Sequence, residues 1–151
     1  MLMRLRFVGL GLPLALLFAS TGDFRVVSGQ LVAAQAENGK LKFEIYQDAA
    51  KEFRWRLKAG NGAILATAGQ GYKSKASCQE GVSRIKANAA SSRLTFEVYE
   101  DKAKEHRWRL KSSNGQIVAS SSEGYKAKSD CQHAIDLIKK GARQAQVEEE
   151  K

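Results

Sequence analysis

Phe53-Arg54-Trp55-Arg56-Leu57-Lys58-Ala59-Gly60-Asn61-Gly62 reads as a strand running into a tight turn. Phe53, Trp55 and Leu57 point one way while Arg54, Arg56 and Lys58 point the other, the period of a strand with one face buried and one face wet. Asn61-Gly62 is a strong short hairpin signal, and a two-residue type I′ turn there predicts that Gly60 pairs with Ala63. In that register Leu57 falls opposite Ala66 and Trp55 opposite Ala68, so small residues face the indole, and Ile64, Ala66 and Ala68 join the buried face. Upstream, Leu41, Phe43 and Ile45 alternate with Lys42, Glu44 and Tyr46 and predict a preceding strand. Downstream, Gly69-Gln70-Gly71 ends the third strand. A helix follows from Ser74 or Ser77 to about Ala89, with either serine able to cap it and Ser77-x-x-Glu80 in the form of a capping box. Its stripe Cys78-Val82-Ile85-Ala89 has helical spacing and is satisfied by the aromatic face of the sheet.

The whole unit is then repeated 53 residues later without a gap. Phe96-Glu97-Val98-Tyr99, Arg107-Trp108-Arg109-Leu110-Lys111, Asn114-Gly115 and Gly124-Tyr125-Lys126 return in order, His106 stands where Phe53 stood, and Ser129-x-x-Gln132 offers the second cap. Cys131-Ile135-Ile138-Ala142 repeats the helical stripe. A tandem repeat fixes architecture before any site is considered. Each unit is β-β-β-α, residues 41–89 and 94–142, and a lone unit of about 50 residues would bury a marginal core. The expected fold is therefore one α+β domain, two units sharing an antiparallel sheet with the helices on one face. Phe43, Trp55, Leu57, Ile85, Phe96, Trp108, Leu110 and Ile138 are its expected core. Residues 143–151, ending in three glutamates and a lysine, carry no apolar period and are expected to fray.

Residues 1–36 are of another kind. Arg4 and Arg6 precede an apolar run of about 13 residues, Phe7 to Ala19, and a polar stretch leads to Ala34-Gln35-Ala36. Basic, apolar, small-x-small is the order of a secretory signal peptide, and the run is too short for a membrane span of roughly 20 residues. Cleavage is expected between Ala36 and Glu37, with an earlier cut near Ala19 or an uncleaved signal as alternatives. No lipobox cysteine follows the run, since the first cysteine is Cys78. The expected location is the periplasm or the extracellular medium, with no stable membrane insertion once the signal is gone. Removing residues 1–36 takes away Arg4, Arg6, Arg25 and Asp23, which leaves 22 basic and 15 acidic residues, net +7. In an oxidising compartment Cys78 and Cys131 invite a disulfide, while their place on the helical stripes favours two small buried hydrophobes.

The string Phe-Glu-Val/Ile-Tyr-x-Asp, Phe-Arg-Trp-Arg-Leu-Lys, Asn-Gly, Gly-Tyr-x-Ser/Ala-Lys and Cys-x-x-x-Val/Ile resembles the YegP-like family of small bacterial and archaeal domains. The likeness covers residues 41–142 in both copies. It implies a single continuous antiparallel sheet backed by helices, and it carries no activity and no catalytic residues. His106 in place of an aromatic, Ala127 in place of the serine before the helix and the export signal are departures from its pattern.

Two sets of residues are candidates for binding. Arg54, Arg56, Lys58, Arg107, Arg109 and Lys111, with Tyr46 and Tyr99 beside them, have the composition of a polyanion platform on the open sheet face. The competing reading is cross-strand pairing, with Glu44 opposite Arg56 and Tyr46 opposite Arg54, worth roughly 0.2–1 kcal/mol per pair. Lys73, Lys75, Lys126 and Lys128 lead into helix N-termini, which are anion-ready and electrostatically unfavourable for lysine. Trp55 and Trp108 would serve as a stacking surface only if the arginines were buried instead, which costs far more; both belong to the core, and nucleic acid is not an expected partner. His106 and His133 form no Ser-His-Asp or Cys-His arrangement, no Cys/His spacing suits a metal, and no phosphate-cradling glycine loop is present. The expectation is a non-catalytic domain without a cofactor. It either binds anionic envelope or extracellular polymers through its basic face or is a structural or stress-related accessory protein that associates with itself through its sheet edges, without a specific ligand.

Overall fold

The computed structural model describes residues 40–150, so the expected export signal lies outside the described residues. The chain forms β1 (Lys42–Gln47), β2 (Phe53–Lys58), β3 (Ile64–Ala68), α1 (Lys75–Asn88), β4 (Leu94–Glu100), β5 (His106–Ser112), β6 (Ile117–Ser121), α2 (Lys128–Gly141), a 3-10 turn (Ala142–Gln144) and β7 (Gln146–Glu149). The strands make one seven-stranded sheet in the order β4-β5-β6-β3-β2-β1-β7. The expected β-β-β-α units are both present. They meet where β3 and β6 pair antiparallel, with Thr67 opposite Ser120.

Each helix packs against the outer strands of its own unit, α1 on β1 and β2, α2 on β4 and β5. Cys78, Val82, Ile85 and Ala89 are buried, as are Cys131, Ile135, Ile138 and Ala142, so both stripes read from the sequence do face the sheet. Trp55 and Trp108 are the largest fully buried side chains. Each meets the phenylalanine of the neighbouring strand edge to face, Phe43–Trp55 at 5.4 Å and Phe96–Trp108 at 5.3 Å between ring centres. The N-cap of α1 is Ser74, whose hydroxyl accepts from the Ser77 N–H at 3.1 Å. In α2 the cap position falls on Ala127, which has no side chain to offer, and Ser129 sits inside the first turn rather than capping it.

Three expectations need correction. The hairpin turn is a three-residue loop rather than a two-residue type I′ turn. Ala59 and Ala63 pair across it (N–H to O, 2.8 Å), the Gly62 N–H donates to Ala59 at 2.9 Å, and only Gly62 takes positive φ, +84°. The Asn61 side chain instead accepts the Ala63 N–H. That loop shifts the register by one, and a bulge beside Leu57/Lys58 restores it, so that Leu57 does face Ala66. The bulge turns Leu65 inward to full burial and leaves Ile64 only half-buried; Leu65, not Ile64, is the core residue. The second correction is Phe96, expected in the core and found half-buried.

The third is the C-terminal segment. Residues 146–149 do not fray but add a parallel strand to β1, Phe43 opposite Val147 and Glu44 opposite Glu148. The chain reaches that edge by crossing under the sheet, its 3-10 turn resting on both helices and the Lys86 ammonium donating to the Ala145 carbonyl at 2.6 Å. An edge strand exposes unpaired N–H and C=O groups, and β7 satisfies those of β1. Its glutamates add specificity: Glu148 meets Lys42 at 2.8 Å, Glu150 meets Arg56 at 3.1 Å, and Glu149 meets Lys75.

Candidate functional site

The open face of the sheet holds the six basic residues named from the sequence, and every one of them is in an ion pair. On the first unit Arg54 binds Asp48 (2.6 Å), Arg56 binds Glu44, and Lys58 reaches the same Glu44 oxygen at 2.7 Å. The second unit repeats the pattern: Arg107–Asp101, Arg109–Glu97 and Lys111–Glu97, each at 2.6 Å. The register makes this unavoidable, because β1–β2 pairing puts Glu44 opposite Arg56 and β4–β5 pairing puts Glu97 opposite Arg109. Arg56 also lies over the Tyr46 ring at 4.9 Å and Arg109 over Tyr99 at 5.1 Å, so each guanidinium is held between a carboxylate and an aromatic face.

The two aspartates have a second task. Asp48 Oδ1 accepts the N–H groups of Ala50 and Glu52, and Asp101 Oδ1 those of Ala103 and Glu105. This tightens loops in which Lys51 and Lys104 take positive φ. The electrostatic result is uniform. The Arg109 and Lys111 side chains hold the Glu97 carboxyl down to about 2. Lys58 and then Arg56 lower Glu44, while Arg54 and the Glu52 N–H lower Asp48. Arg107 and the Glu105 N–H do the same for Asp101. Counting Glu52, 3.8 Å from Arg54, and Glu150, six carboxylates stand against six cations. The six named cations are charge-balanced rather than free.

The lysines before the helices divide differently. Lys75 is taken by Glu149, whereas Lys73, Lys126 and Lys128 are exposed and enter no ion pair among the described residues. Asp130 in the first turn of α2 offsets the unfavourable lysines there. Cys78 and Cys131 are free, fully buried thiols, and burial pushes both up to about 11. The bridge considered from the sequence is not formed. Among the described residues no cluster of His, Cys, Asp and Glu could hold a metal ion, and no helix is long and apolar enough to cross a membrane.

Sequence reasoning missed the contrast between the two outer strands. β1 and β4 are repeat equivalents, yet Leu41, Phe43 and Ile45 are buried while Leu94, Phe96 and Val98 are only partly so. The difference is β7, which covers the outer edge of β1 and has no counterpart beyond β4 among the described residues. No sequence signal announces a four-residue strand whose one apolar side chain, Val147, is itself exposed.

Two β-β-β-α units in one sheet with an ion-paired face define a small tandem-repeat α+β domain. The chain belongs to the family described as a domain of unknown function, DUF1508, whose profile matches residues 48–94 and 101–149. It is 41% identical over 108 residues to a UPF0339 protein in the ptx operon 5′ region of Stutzerimonas stutzeri, which spans 71% of this chain and 94% of that one. It is 35% identical over 82 residues to the UPF0339 protein YegP of Shigella flexneri, covering 52% of this chain and 70% of that one. Among solved structures, the solution structure of yegP from E. coli, a protein of unknown function, superposes with a TM-score of 0.65 at 27% identity over 74% of this chain and 93% of that one. A UPF0339 protein from Shewanella oneidensis gives the same TM-score at 21% identity, over 73% and 91%. These likenesses agree with the resemblance read from the repeat motifs, and none brings a catalytic role.

Proposed function

We propose that this chain is an exported, non-catalytic module whose task is assembly through strand pairing. The observation that carries the reading is the asymmetry of the outer strands: the same Phe-Glu-Ile/Val-Tyr motif is covered at β1 and uncovered at β4. β4 is seven residues long, pairs with β5 in unbroken register, and contains neither proline nor bulge, two of the devices by which exposed edges are blunted. A photo-crosslinking residue placed at Tyr99 beside this edge, in the protein's own host, should give an adduct that the same residue at Tyr46 does not. Equal yields at the two positions, or none at Tyr99, would refute the reading. Export is tested by N-terminal sequencing of protein from that host, with a start near Glu37 expected and an intact Met1 in the cytoplasm against it.

A second reading, capture of anionic envelope or extracellular polymers, draws support from the mature net charge of +7 and from Lys73, Lys126 and Lys128 standing without acidic partners among the described residues. The balanced ion pairs of Arg54, Arg56, Lys58, Arg107, Arg109 and Lys111 move any such affinity to these lysines. Retention on heparin should then fall steeply with salt, by counterion release, and should fall further when the three lysines are replaced together by alanine. Retention insensitive to both ends this reading.

A further inference from the structure

We infer that the open edge of β4 docks on β4 of a second copy of this chain, antiparallel and centred on Phe96, so that two seven-stranded sheets continue into one. The inference rests on the assembly reading above and names its partner. Three observations lead to it.

The first is the internal precedent. The two units of this chain already join edge to edge and antiparallel, at β3–β6, so the fold tolerates sheet continuation with helices on one face. A two-fold β4–β4 contact repeats that operation and closes, as a contact of one patch with itself must. The second is what lies half-covered. Leu94, Phe96 and Val98 share the helix-side face of β4 and are all only partly buried, while their equivalents Leu41, Phe43 and Ile45 become buried once a strand lies beside them. A new strand beyond β4 supplies the missing cover.

The third is register. Antiparallel self-pairing must place apolar side chains opposite apolar side chains, because a slip of one residue turns them to the wrong face. Centring on Phe96 achieves this for all three: Phe96 meets Phe96, and Leu94 meets Val98 on both sides of the axis. On the open face the same register sets Thr95 opposite Glu97 and Arg93 opposite Tyr99. Arg93 is exposed with no ion pair among the described residues. Opposite Tyr99 it would take the place that Arg109 holds over that ring within the chain. Centring on Glu97 instead opposes two glutamates and is disfavoured.

The test uses the mature chain, residues 37–151, by light scattering over a concentration series and by amide hydrogen exchange at low and high concentration. A dimer is expected, with β4 amides gaining protection as concentration rises and β1 amides unchanged. Thr95→Glu sets a glutamate opposite Glu97 of the other copy and should weaken the dimer about tenfold, while Thr95→Lys should hold it at least as tightly as the parent. Thr95 is exposed and faces Lys111 within its own chain, so circular dichroism and melting of both variants provide the folding check. A monomer at every concentration, or variants that shift the dimer equally, overturns the inference. A synthetic peptide of residues 93–100 separates the two levels. If it protects β4 amides of a chain that stays monomeric, the edge docks strands but not its own copy. If it protects nothing and no dimer forms, the assembly reading falls as well.

Discussion

Replacing Trp55 by alanine should cost about 3–5 kcal/mol, the range for removing a large aromatic side chain from a packed core. The structure places it at the upper end of what one residue can do. Trp55 is 1% exposed, meets Phe43 edge to face with ring planes at 71°, and sits opposite Ile45 on β1, while β3 on its other side contributes the small buried residues Ala66 and Ala68. Alanines cannot reach across to fill the space, so the cavity persists. Against a total stability of about 5–15 kcal/mol for a domain of this size, that loss is a third of it or more. A second variant separates packing from polarity. The indole N–H of Trp55 is buried and has no acceptor among the described residues, so Trp55→Phe gives up part of the apolar volume but also removes a buried donor that costs roughly 1–3 kcal/mol to leave unpaired. Trp55→Phe should therefore cost about 1–2 kcal/mol, well under half of the alanine change. The assay is equilibrium unfolding in urea by far-ultraviolet circular dichroism, comparing midpoints at unchanged slope. An alanine variant within 1 kcal/mol of the parent, or a phenylalanine variant as damaged as the alanine one, would refute the reasoning.

Ending the chain after Ala145 removes β7, uncovers Phe43 and Ile45 and breaks the pairs to Lys42 and Lys75; a loss of about 1–3 kcal/mol is expected from the apolar exposure, read as a lower melting temperature with the far-ultraviolet spectrum retained. Acid should act through Glu44, Asp48, Glu97 and Asp101, all held below the ordinary carboxylate range. The unfolded chain takes up protons first, so the stability these groups add is complete above about pH 5 and is lost as pH falls toward about 2. Melting temperature should be flat from pH 8 to 5 and then drop, and a drop beginning near pH 7 would contradict this. Glu123, raised by burial, works in the opposite sense and should not cancel four lowered groups. Cys78 and Cys131, buried and pushed up to about 11, should resist a thiol reagent at pH 8 in the folded protein and both react after denaturation; a thiol count of zero in denaturant would instead show a bridge.

The repeat, its two periodicities and its Asn-Gly turns by themselves determined the β-β-β-α units, the burial of Trp55 and Trp108, and which residues share the open face. These are local matters, set by side-chain alternation and helical spacing, and duplication states each of them twice. The pairing of Glu44 with Arg56 was legible too, because a short connection leaves β1 and β2 one sensible register. The balance of the six cations was not, since Glu150 and the second contacts of Glu44 and Glu97 depend on where side chains from separate segments converge. The turn geometry escaped the sequence because Gly60-Asn61-Gly62 satisfies more than one loop, and the bulge that selects Leu65 over Ile64 belongs to the strand pair, not to either strand. Only the tertiary structure decided the fate of the last residues. A segment with almost no apolar content becomes a strand because β1 offers it an unpaired edge and Lys42, Arg56 and Lys75, from three different elements, meet its glutamates. Among the described residues no segment lies against the equivalent edge at β4. Backbone hydrogen bonding at an edge is indifferent to sequence, so where the sheet stops is fixed by what the fold brings alongside.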